Sequence, residues 1–199
     1  MRIPVMLIAI VSLLAGCAGD GEGGESVSPA PTAVTTSTPV ESPTPSASPS
    51  PTVMPTYPSD LPTESAEEAA IIAGWQEYWR VYAKYTADPN GFTDFSEVQQ
   101  VTTDEHARAF FDVLTLMREK DLVNLGGQVF RDIEVEHKDD GVAVIRYCSD
   151  TRSIDVRHAD TGEQYERDVA DSYEETATMR EGDDGIWRVA KIRNKEALC

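Results

Sequence analysis

Three cysteines and three histidines are all that this chain of 199 residues carries. No two cysteines sit at zinc-binding spacing and no histidine belongs to an H-E-x-x-H, so the sequence offers no zinc ligand set. It also lacks a phosphate-cradling glycine loop and a nucleophile elbow, and its acidic turns miss the alternating pattern of a calcium loop. No cofactor and no metal are therefore expected. Cations are scarce, with 17 Lys and Arg against 35 Asp and Glu and a formal charge of −18. Binding nucleic acid needs clustered cations to release counterions, so that partner is excluded. The apolar run from Ile3 to Ala18 is shorter than the roughly 20 residues that span a bilayer.

What is present begins with Arg2, the apolar run and a small-residue close, the parts of an export signal. Leu14-Ala15-Gly16-Cys17 resembles the lipobox of bacterial lipoproteins. That resemblance implies a signal peptide over 1–16 and a diacylglyceryl group on Cys17, which becomes the first mature residue. The membrane partner would then be reached through Cys17, at the outer face of the cytoplasmic membrane. Two or more acyl chains suffice for lasting residence where one does not.

From Ser26 to Thr63 stand ten of the twelve prolines, among Ser, Thr, Ala and Val, with Glu41 and Asp60 the only charges. Such a stretch has almost nothing to bury and reads as a disordered tether over 17–63, reaching at most about 100 Å when extended. A single domain is expected over 64–199, with 30 acidic and 16 basic residues. Outside the cytoplasm the remaining Cys148 and Cys199 make an even count, which argues for one disulfide. A nucleophilic Cys148 would need a thiol that stays reduced there, and no neighbouring residues support it.

Ser65-Ala66-Glu67-Glu68 has capping-box spacing and predicts a helix that carries Ile72, Trp75, Trp79 and Tyr82 inward and ends at Asp88-Pro89-Asn90-Gly91. Thr102 with Glu105 predicts a second helix, bearing Ala107, Phe110, Phe111, Leu114 and Met117 and closed by Gly126-Gly127. Beyond it the apolar period is two. Strands are expected around Val129–Val135, Val142–Ile145, Tyr173–Met179 and Trp187–Val189. Asp139-Asp140-Gly141 and Asp183-Asp184-Gly185 read as tight turns, and Asp160-Thr161-Gly162 as the tip of a smaller hairpin. Helices first and a meander after give an α+β class, with helices covering one face of an antiparallel sheet of four or more strands. Cys148 closes the second strand and Cys199 follows the fourth, so the tail has to fold back across the third to reach bonding distance.

"WQEYWRVYAKYTADP" on the first helix, "YCSD" at a strand end and "DGIWRV" before a terminal Cys add to the lipobox and tether. Together they resemble the exported actinobacterial lipoproteins with a nuclear transport factor 2-like, or SnoaL-like, domain. The resemblance implies a cone in which a curved sheet wraps the first helix around an apolar pocket. Trp75, Tyr78, Trp79, Tyr82, Tyr147, Tyr173 and Trp187 are the residues expected to line it. Enzymes of this shape move a proton with an Asp or His and steady an oxyanion with a Tyr or acid. Tyr78 or Tyr82, Asp155, His158 and Arg146 or Tyr147 would have to converge for that chemistry. None belongs to a catalytic motif, so no catalytic residue is assigned. The expected function is a non-catalytic binding module for a small apolar ligand or an envelope protein, with an isomerase, dehydratase or cyclase as the alternative.

Overall fold

A computed structural model describes residues 54–138 and 141–199. The export signal, Cys17 and most of the tether lie outside the described residues, as do Asp139 and Asp140 of the first expected turn. The order of elements is helices followed by an antiparallel sheet, an α+β fold.

Helix α1 (Ala66–Ala87) starts where its local chemistry directs. Ser65 Oγ accepts from Glu68 N at 3.1 Å and Glu68 Oε2 accepts from Ser65 N at 2.9 Å, which satisfies two donors of the open first turn. At the other end Asp88 Oδ1 accepts from Gly91 N at 2.9 Å, and the chain turns. A short helix, α2 (Ser96–Val101), follows; no sequence signal announced it. Thr103 stands at the N-cap position of helix α3 (Asp104–Glu119) with no side-chain cap bond, so the Thr102–Glu105 box does not form. Thr102 Oγ1 instead donates to Val98 O at 2.6 Å, while Thr103 N donates to Val189 O at 3.0 Å. Docking of this corner on the sheet overrides the local cap. The helix also stops at Lys120, ahead of Gly126-Gly127, because Leu122–Asn124 forms a short strand, β1.

The remaining strands are β2 (Val129–Lys138), β3 (Val142–Asp150), β4 (Val156–His158), β5 (Ser172–Glu181) and β6 (Trp187–Glu196). Four of them form an antiparallel sheet in the order β2-β3-β5-β6, and β1 pairs with β4 apart from it. Gly141 and Gly185 take φ of 68° and 74° at the β2–β3 and β5–β6 turns, a conformation that side chains oppose. Register shifts between Arg131 and Glu134 and between Thr178 and Met179 mark bulges, which bend and twist a sheet locally. The small hairpin takes shape through β4, with Gly162 N donating to His158 O at 2.8 Å.

Alternation along β3 and β5 turns Ile145, Tyr147, Ala177 and Met179 toward the helices, where they are buried with Ile71, Trp75, Phe110 and Phe130. Helix α1 approaches the start of β6 so closely that a Cβ on Gly74 would lie 2.3 Å from Trp187 O. Only glycine fits there. The other face of the sheet is charged, with Arg146 Nη2 3.1 Å from Glu136 Oε2.

Residues ahead of Glu64 also pack on the domain. Thr56 N donates to Gln128 O and Phe130 N to Thr56 O, each at 2.9 Å. Tyr57 stacks on Phe130 at a centroid distance of 5.4 Å and meets Trp75 edge-on at the same distance. Tyr57 and Leu61 both pack against the core, which gives this segment apolar side chains to bury on the body.

Cys148 and Cys199 are joined in a disulfide with Cα atoms 5.9 Å apart, closing a separation of 51 residues. The tail crosses β5 to reach it, and Ser172 Oγ donates to Ala197 O at 2.5 Å on the way. Arg131 Nη2 donates to Cys199 O at 3.1 Å and to Asp150 Oδ2 at 3.3 Å. The Arg152 guanidinium beside Asp150 holds that carboxyl down to about 2.

Candidate functional site

Between α1, α3 and the inner face of the sheet lies a cavity of about 650 Å³. Of the seven aromatics expected to line it, Tyr78, Trp79, Tyr82 and Tyr173 do. Trp75 and Tyr147 do not: with Phe130 and Tyr57 they form a solid aromatic block, Trp75 standing 4.9 Å from Tyr147 and 5.1 Å from Phe130 between centroids. Trp187 is also absent from the cavity wall. It is buried at the start of β6 and borders a separate hollow of about 500 Å³ between α1, α2 and the β5–β6 turn. One part of the interior is thus filled by aromatic rings and the neighbouring part is open.

Two polar groups in the wall escaped the sequence reading. Glu175 on β5 is 5 % exposed. Its register places it opposite Tyr147 on β3 and Asn194 on β6, so the three form one row across the inner face. Parity along β5 held the signal, since Glu175 shares its face with Tyr173, Ala177 and Met179. His106, in the first turn of α3, lies half-buried with Nε2 3.0 Å from Tyr78 Oη. It precedes Phe110 by one helical turn, the spacing that puts both on one face.

Burial dominates the electrostatics of this wall. It pushes the Glu175 carboxyl up, while the hydroxyls of Tyr147 and Ser149 act in the opposite sense. It also pushes Tyr78 and Tyr147 well above the usual phenol range, reinforced by the Glu175 charge, and raises Tyr82 to about 12. The three phenols therefore keep their protons. His106 is pushed down by burial, against the pull of Glu105, which favours the neutral ring. Glu175 Oε2, Tyr147 Oη, and the indole nitrogens of Trp75 and Trp79 are buried with no hydrogen-bond partner among the described residues.

The other residues weighed for proton transfer do not converge. Arg146 is on the outer face. Asp155 pairs with Arg157 at 2.9 Å, and the His158 ring packs on Tyr165 at 5.8 Å. None of them reaches the cavity wall. The polar stretch from Thr151 to Ala170 nevertheless builds the rim: Ile154, Val156, Arg167 and Val169 all border the opening. Arg167 Nη2 donates to Ile154 O at 3.0 Å and to Thr151 O at 3.4 Å, and Tyr173 Oη accepts from Ala170 N at 2.9 Å, which ties the rim to the sheet. Val169 and Leu116 are about half exposed beside it, leaving the mouth apolar.

The structure thus belongs to the class of α+β domains in which helices and one antiparallel sheet enclose a partly polar cavity. Among solved structures, the chain is similar to a ketosteroid isomerase-like protein from Erwinia carotovora, at 17% identity and a TM-score of 0.43, over 66% of this chain and 96% of that one. A Caulobacter vibrioides protein with a cystatin-like fold shares 18% identity and a TM-score of 0.43, over 67% of this chain and 92% of that one. The intermembrane-space region of chloroplast ARC6 shares 10% identity and a TM-score of 0.44, over 68% of this chain and 100% of that one. No family model and no curated protein matches the chain. The fold class rests on the strand order and helix placement described above.

Proposed function

We propose that this chain is a lipid-anchored extracytoplasmic protein whose domain binds a small, mainly apolar molecule. The cavity carries this reading. Its volume of about 650 Å³ falls in the range of small-molecule sites, its walls are largely aromatic and aliphatic, and a few polar groups converge in it. The large exposed hydrophobics among the described residues, Met54, Leu116, Val169, Ile186 and Leu198, all lie outside the strands of the sheet. That distribution favours a ligand in the cavity over an envelope protein on the sheet.

Native mass spectrometry of protein extracted gently from its own membrane is expected to show a bound organic molecule that denaturation releases. Preparations in which every native mass equals that of the denatured protein, with nothing released, would defeat the binding reading. Anchoring rests on Leu14-Ala15-Gly16-Cys17. Cys17→Ser is expected to move the protein from the membrane fraction to the soluble one, and unchanged retention would rule out the anchor.

The Tyr78–His106 hydrogen bond beside Glu175 favours one second reading, an isomerase, dehydratase or cyclase acting on a hydrophobic substrate. Either the neutral His106 ring or the Glu175 carboxylate could take a proton from a bound substrate, and the protonated Tyr78 hydroxyl could steady the oxyanion that results. The two readings part on what leaves the cavity: a binding module returns its ligand chemically unchanged, and an enzyme does not.

A further inference from the structure

We infer that the cavity selects a hydrophobic organic cation, an amine whose ammonium group meets the carboxylate of Glu175 while its apolar body lies among the aromatic rings. The inference rests on the binding reading above and narrows it to a charge class. Glu175 is almost fully buried, borders the cavity, and has one carboxylate oxygen without a partner among the described residues. A buried carboxyl without a counter-charge is driven toward its neutral form, and a cation seated beside it is what holds it as the carboxylate. What acts on this carboxyl from the protein is burial and two neutral hydroxyls, those of Tyr147 and Ser149, with no cation among the influences.

The other charged or titratable groups of the wall do not fill that role. Arg167 is turned to the carbonyls of Thr151 and Ile154, Asn194 beside Glu175 is neutral, and burial favours the uncharged form of His106. The missing counter-charge is therefore left for a ligand to bring. The walls suit the same class: Tyr78, Trp79, Tyr82, Phe110 and Tyr173 present rings to the cavity, and a cation over an aromatic face is attracted by its quadrupole. A formal charge of −18 raises the local concentration of cations and lowers that of anions. An anionic ligand would have to lie beside an uncompensated carboxylate.

Three probes of one shape test this by titration calorimetry at neutral pH: 2-naphthylmethylamine, 2-naphthylmethanol and 2-naphthoate. The amine is expected to bind about tenfold or more tightly than the alcohol, the size of effect a charge-assisted hydrogen bond brings, and the carboxylate not measurably. Glu175→Gln is expected to bring the amine down to the affinity that the alcohol has for the same variant, and measurable binding of the alcohol to it shows the cavity intact. Equal binding of amine and alcohol to the unaltered protein overturns the inference and leaves the binding reading standing. Binding of none of the three removes both. An amine preference that survives Glu175→Gln in a variant that still binds the alcohol overturns the assignment to this carboxylate. The comparison within the unaltered protein decides the charge class even if the variant fails to fold.

Discussion

Trp75→Ala is expected to destabilise the domain by about 3–5 kcal/mol, the range for removing a buried tryptophan ring. Trp75 is fully buried, and it is the ring on which Tyr57, Phe130 and Tyr147 all lean, at 4.9 to 5.4 Å between centroids. Its removal leaves a hole bordered by aromatic side chains from three different segments, which have few ways to collapse into it. Against a total stability of typically about 5–15 kcal/mol, such a loss threatens folding at growth temperature. Trp75→Phe should cost much less. It keeps a ring in the block and removes an indole N–H that has no hydrogen-bond partner among the described residues, so no acceptor is orphaned. Urea denaturation followed by circular dichroism measures both, with the midpoint shifting at unchanged slope. An alanine variant within about 1 kcal/mol of its parent would contradict the packing described.

Replacing Cys148 and Cys199 together by serine is expected to lower stability by about 2–4 kcal/mol and the melting temperature by on the order of 10 °C. The bridge closes 51 residues of separation, so its main effect falls on the unfolded chain, which gains freedom when it is cut. The folded tail keeps other holds without it, through Ser172 on Ala197 and Arg131 on the Cys199 carbonyl. Native structure should therefore survive in the variant. Cys148 alternates with Tyr147 and Ser149, which places the sulfur on the outward side of the sheet, away from the cavity. Ligand affinity should accordingly be unaffected at temperatures where the variant is folded. Peptide mapping of unreduced protein should recover Cys148 joined to Cys199. A melting point equal to that of the parent would contradict the stabilising role, and two free thiols would contradict the bond.

How far the molecule could be read from its sequence follows the range of the interactions involved. Helix α1 was legible because Ser65, Glu68 and the Asp88–Gly91 turn act within a few residues of one another. The strands were legible because a period of two is itself local, and Gly141 and Gly185 mark their turns. The Thr102 cap misled because Thr102 and Thr103 dock on Val98 and Val189, and the second of these lies across the domain. Strand β1 was hidden for a similar reason, since its partner β4 lies more than thirty positions later. Four of the seven aromatics expected in the cavity wall stand there, Tyr78, Trp79, Tyr82 and Tyr173. The polar part of the wall was not foreseen, because Tyr78 and His106 meet only when two helices pack, and Glu175 looked like one more carboxylate in an acidic chain. Which of the expected aromatics line the cavity and which fill the block beside it depends on how rings interlock, and Trp79 does both, standing 5.0 Å from Phe130 between centroids. Spacing alone does not encode that.

The clasp formed by Thr56 and Tyr57 gives the domain a mechanical side. A pull transmitted along the chain from residues ahead of Met54 arrives first at the two main-chain bonds between Thr56 and the Gln128–Phe130 segment. Behind them stands the Tyr57 ring, wedged against Phe130 and Trp75. Because Thr56 runs parallel to Val129, both bonds sit side by side at one point of β2, and they share the load before any of it is passed to α1. The force therefore enters at the edge strand of the sheet and at the aromatic block, and it meets the cavity there too, since Pro55 and Gln128 line its wall.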